Sequence, residues 1–118
     1  MVTIDEVRAL ASGLPRAYEA FAGGRVKFRV GRIVFLSFSK DETLMGFGFP
    51  KDERQMLVDS EPQKFLLPRQ SDMRYNWVVA RLAELNHEEM TELVLDAWGM
   101  CVPKKVFHGY LDSISSEQ

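Results

Sequence analysis

Three cations stand at alternate positions in Arg25-Val26-Lys27-Phe28-Arg29-Val30. A β-strand sends successive side chains to opposite faces, so Arg25, Lys27 and Arg29 share one face while Val26, Phe28 and Val30 take the other. Neighbouring heads on such a face stand about 7 Å apart, a spacing that matches successive phosphates of a nucleic-acid strand to within an order of magnitude. Arg32 follows in the next turn, and Arg69 and Arg74 lie in the stretch ahead of a later strand. The charge is unevenly distributed. Residues 16–32 hold Arg16, Arg25, Lys27, Arg29 and Arg32 against Glu19 alone, whereas residues 82–101 hold Glu84, Glu88, Glu89, Glu92 and Asp96 without a base. Read without a ligand, the same basic row is a solvated outer face with some of its cations paired to the acidic segment.

Other chemistry is hard to assemble from this chain. His87 and His108 are its two histidines, and no Cys/His/Asp/Glu cluster has the spacing of a metal site. Glu88, Glu89, Glu92 and Asp96 read as the polar side of a helix rather than a cation site. No Gly-x-Ser-x-Gly elbow is present, and Ser37 and Ser39 lie on a strand with no evident base. Cys101 falls on an apolar stripe and reads as a small core residue; were its thiol exposed, Lys104 and Lys105 nearby would activate it slightly. Gly46-Phe47-Gly48 lacks the third Gly and the Lys-Ser/Thr pair of a phosphate loop, and marks instead a place where backbone or a bulky ring approaches a strand closely. The residues therefore point to a non-enzymatic protein, with no catalytic residues, metal or cofactor expected.

The elements that must carry the basic row follow from periodicity. At 118 residues the chain suits one domain, and its net charge of −2 excludes a globally basic nucleic-acid coat. Thr3 with Glu6 three residues on caps a helix over about residues 4–12, ended by Gly13 and Pro15. Short strands are expected from Tyr18 to Phe21, over Arg25–Val30, over the apolar run Ile33–Phe38, and from Leu44 to Phe49, where Gly46 and Gly48 leave one face bare. Pro50 opens a middle helix with Met56 and Leu57 on its apolar side; residues 65–74 read as an irregular loop, and Trp77 to Leu82 as a further strand. Asn86 and Glu89 then start the clearest element, a long helix with Met90, Leu93, Val94, Ala97, Trp98 and Cys101 on one stripe, closed by Pro103. Phe28, Phe35, Phe38, Trp77 and Trp98 all fit core positions. This order predicts an α+β domain with an antiparallel sheet of about four to five strands, its first and last helices packed on one face. Residues 1–106 form the domain and residues 107–118 an extension frayed toward its end. The acids at the N-terminus, the single cysteine and the lack of a long apolar run read as a cytoplasmic chain with no membrane partner.

Several strings resemble the MmcQ/YjbR family of small bacterial domains. These are Leu14-Pro15, Lys27-Phe28-Arg29-Val30-Gly31-Arg32-Ile33-Val34-Phe35, Pro50-Lys51-Asp52-Glu53, Asn76-Trp77-Val78-Val79, Ala97-Trp98 and Val102-Pro103-Lys104-Lys105-Val106. The resemblance runs from about Val7 to Val106 and implies a CyaY-like α+β sandwich. Family members are often labelled DNA-binding by analogy with a double-wing arrangement. Carried onto this chain, the label falls on Arg25, Lys27, Arg29 and Arg32 of the hairpin, with Arg69 and Arg74 as helpers. The alternative is a domain that binds a protein, a small ligand or a second copy of itself, with no nucleic-acid role.

Overall fold

Alternation settles the architecture strand by strand. In the computed structural model, which describes residues 1–116, β1 (Ala17–Ala22), β2 (Arg25–Val30), β3 (Ile33–Phe38) and β4 (Leu44–Gly48) form an antiparallel meander. The sheet is completed by β6 (Trp77–Arg81) beside β4 and by β5 (Phe65–Leu66) at the far edge, giving the order β1-β2-β3-β4-β6-β5. It thus has six strands rather than four to five. The added strand, β5, is two residues long, too short to leave a period-two pattern in what reads as irregular loop; its pairing with β6 creates it.

One cross-sheet row, Phe28, Leu36, Phe47 and Val78, is fully buried and forms the floor of the core. A bulge explains the unbroken apolar run in β3. The register slips between Phe28 and Arg29, so that Phe35 is the extra residue and turns inward beside Leu36. The Phe35 and Phe28 rings stand 6.5 Å apart. On the next row, Lys27, Ser37, Gly46 and Val79 point to the opposite face.

The helices α1 (Ile4–Ala11) and α3 (His87–Gly99) pack over the apolar face, burying Val7, Ala11, Met90, Val94, Ala97 and Trp98. Thr3 caps α1, and Asn86 with Glu89 forms a complete capping box at α3. The Trp98 Nε1–H donates to the Pro15 carbonyl at 2.9 Å, tying α3 to the turn that follows α1.

Two stretches differ from expectation. Pro50–Glu53 makes a turn and the middle helix, α2, runs over Arg54–Ser60. The Glu53 N–H bonds the Pro50 carbonyl at 3.1 Å to close the turn, and Asn76 Oδ1 accepts the Lys51 N–H at 3.0 Å, tying it to the neighbouring loop. Met56 is 80% exposed, leaving Leu57 and Val58 as the partly buried residues of α2. Lys104–Ser116 forms a fourth helix, α4, which takes in most of the stretch expected as an extension beyond residue 106. Phe107 and Tyr110 pack on Trp98 with ring centroids 5.8 and 5.3 Å away, which is what holds α4 against the domain. The fraying expected at Glu117 and Gln118 lies outside the described residues.

Lys64 joins the sheet edge to α3: its Nζ lies 2.5 Å from Glu89 and 2.7 Å from Glu61. The hydrogen bond from Lys64, aided by the Asn86 backbone N–H, holds the Glu89 carboxyl below its usual range. A carboxylate depressed in the folded state stabilises fully above its unfolded pKa and stops doing so as pH falls through the folded one. Chemical denaturation is therefore expected to show stability declining below about pH 5, with Lys64→Met flattening the decline.

Candidate nucleic-acid interface

The face of the sheet that carries Lys27, Ser37 and Gly46 holds a groove of about 1050 Å³, with the C-terminal end of α3 reaching it at Ala97. It runs from the β1–β2 turn across the Lys27 row to the end of α3, with the loop before β6 forming one wall. Arg25, Lys27, Arg32 and Arg69 line it. Among the described residues, Arg25, Lys27 and Arg32 have no carboxylate within 4 Å, since the acids that pair do so elsewhere. Glu19 is taken by Arg8 at 2.8 Å, and Glu89 by Lys64. The pairing between the basic row and the acidic helix that a solvated face would favour is absent among these residues.

The other two expected cations are placed differently. Arg29 lies outside the lining, with its Nε buried and without a hydrogen-bond partner among the described residues. Arg74 also lies outside, stacked 4.8 Å over the Tyr75 ring and donating to its hydroxyl at 2.8 Å. Arg69 lines the groove but is partly neutralised by Asp72 at 3.3 Å. Three unpaired cations thus converge on the groove.

Trp77 departs most sharply from what the sequence leads one to expect. It is half-buried and lies on the groove face, not in the core. It pairs with Gly48 across the strands, and its indole lies over Gly46. A Cβ at position 46 would sit 2.7 Å from the Trp77 Nε1, so glycine is required for this approach. The close approach expected at Gly46-Phe47-Gly48 is therefore made by Trp77, while the core aromatics Phe28, Phe35, Phe38 and Trp98 are buried as expected.

A residue that periodicity passed over sets the wall of the groove. Arg54, at the start of α2, is 7% exposed and has no carboxylate partner among the described residues. Its guanidinium donates to the carbonyls of Tyr75 at 2.8 Å and Trp77 at 3.4 Å, and to that of Met73. This fork fixes residues 73–77 and so aims Tyr75, Asn76 and Trp77 at the groove. Its only sequence signal is an arginine in the first turn of a short helix, which reads as surface.

At the α3 end, Met100 and Cys101 close the groove. Burial pushes the Cys101 thiol above its ordinary pKa, which keeps it protonated near neutrality. No three His, Cys, Asp or Glu side chains among the described residues gather as a metal would require.

A family model described as YjbR matches residues 12–100, about three-quarters of the chain and all six strands. The chain belongs to the YjbR family. Among solved structures, the crystal structure of Deinococcus radiodurans protein DR2400, with a DUF419 domain, is similar to this YjbR chain at a TM-score of 0.74. The likeness covers 85% of this chain and 78% of that one at 19% sequence identity, and it concerns the fold. No curated protein matches the chain. The matched span takes in β2, Gly46, Arg54 and Trp77, so most of the groove lies within the family domain and α4 lies outside it.

Replacing Arg54 with Met would leave the carbonyls of residues 73, 75 and 77 without their donor. We expect a loss of about 3 kcal/mol in denaturant unfolding, with Trp77 emission shifted to the red as the loop detaches.

Proposed function

We propose that this YjbR domain is a non-enzymatic DNA-binding module that holds phosphates on Arg25, Lys27 and Arg32. The observation that carries the reading is the convergence of three cations, unpaired among the described residues, on one concave sheet face. Cations left together without carboxylates repel one another, and an arriving polyanion relieves that repulsion while releasing its own counterions. The net charge of −2 does not oppose this, because within a Debye length of about 8 Å the local patch governs the encounter. Arg69 contributes less, its charge being shared with Asp72, and Arg74 acts only through Tyr75.

The competing reading, a protein partner or a second copy, draws on the outer edge of the sheet. There β1 pairs on one side only, and Phe21 is 73% exposed. That reading calls for a dimer mass with no DNA affinity at low salt.

Fluorescence anisotropy of labelled DNA across a salt series tests the proposal. Three phosphate contacts give log K against log salt a slope of about −2 for a single strand and about −2.7 for a duplex. Lys27→Glu combined with Arg32→Glu should weaken binding at least about tenfold and flatten the slope, with the melting temperature unchanged because neither side chain has an ion pair among the described residues. Unchanged affinity in this variant overturns the assignment.

A further inference from the structure

We infer that the groove is built for single-stranded DNA, with a base stacked on Trp77 and neighbouring phosphates on Arg25, Lys27 and Arg32; this rests on the reading above. The indole is the deciding feature. Its Nε1–Cε2–Cζ2 edge lies against Gly46, and the half-buried ring lines the groove. A duplex keeps its base faces stacked on one another and has no use for a flat ring in a concavity. An unpaired base, by contrast, offers a π-face to the indole.

The positions of ring and charges agree with such a strand. Lys27, Ser37 and Gly46 follow one another on a single cross-sheet row, so Lys27 and the Trp77 ring above Gly46 are separated by two strand spacings, about 10 Å. A few successive nucleotides laid across the strands would touch both. The Ser37 hydroxyl sits midway, also without a hydrogen-bond partner among the described residues, as a neutral donor to phosphate or base edge. At the rim Tyr75 is 52% exposed; Arg74 covers one side of its ring and leaves the other for a second base. Cations, donors and rings thus fall on the same face, the combination that sequence-tolerant single-strand binding requires.

The chain carries its own reporter. Its second tryptophan, Trp98, is fully buried with its N–H bonded to Pro15, so a ligand in the groove changes the emission of Trp77 alone. The full chain is titrated with an oligothymidylate of roughly 12 nucleotides and with a hairpin duplex of equal phosphate number at about 50 mM salt. The oligothymidylate is expected to bind about tenfold more tightly than the duplex and to quench the emission. Trp77→Leu should abolish the quench and weaken binding about tenfold, the remaining Trp98 emission showing whether this variant is folded. Tyr75→Ala, a change on an exposed loop, should weaken binding severalfold and serves as the second variant.

Tighter duplex binding with unaltered emission would overturn the single-strand inference and leave the DNA reading standing. Equal binding of the two probes, with neither variant changing it, would do the same. Absence of binding by either probe would overturn both. Quenching by thymidine monophosphate as strong as by the oligomer would overturn the inference in favour of a mononucleotide pocket.

Discussion

Each strand of this sheet has to satisfy two environments at once, because the core is buried on one of its faces while the other is an open groove that α3 meets only at its C-terminal end. The covered face is met by a continuous apolar row, Phe28, Leu36, Phe47 and Val78. The other carries Lys27, Ser37, Gly46 and Val79, a mixture that neither forms a second core nor reads as plain solvated surface. Period-two geometry ties the two rows rigidly together: a one-residue slip would bring the cations into the core. The bulge at Phe35 shows how tightly this is controlled, since it lets β3 supply two adjacent inward residues while Arg29 and Val34 remain paired.

What keeps the second face open is a pair of unusual arrangements on its far side. Gly46 removes a side chain in the middle of a central strand, and Trp77 lies over the bare backbone that results. Arg54 reaches in from α2 and bonds the carbonyls of residues 73, 75 and 77, giving a loop without regular structure the fixity of a strand. A guanidinium suits this role because its planar fork presents several donors at once and keeps its charge when buried. Asn76 adds a second tie by accepting the Lys51 N–H. The loop is thus held by main-chain carbonyls and one side-chain amide, and Tyr75 and Trp77 are left to line the groove.

Most of the element order is legible from local pattern. The capping residues Thr3 and Asn86, the alternation in Arg25–Val30 and the apolar stripe of α3 each act over a few residues and appear where the chain requires them. The misses share a cause. Strand β5 exists because β6 accepts it, and α4 because Phe107 and Tyr110 find Trp98. In each case a partner distant in sequence decides, and no local period records it.

The candidate site divides along the same line. The sequence by itself determined that Arg25, Lys27 and Arg29 alternate with Val26, Phe28 and Val30, and that Gly46 leaves room for a ring, because side-chain direction in a strand is a local property. Only the tertiary structure decided which cations meet: Lys27, Arg25 and Arg32 in the groove, Arg29 with its Nε buried outside it, and Arg74 spent on Tyr75. It also decided that Trp77 serves the open face and that Arg54 is buried. Both outcomes depend on the order in which strands sit beside one another and on a carbonyl-lined space between α2 and the loop before β6, and neither exists until the chain has folded.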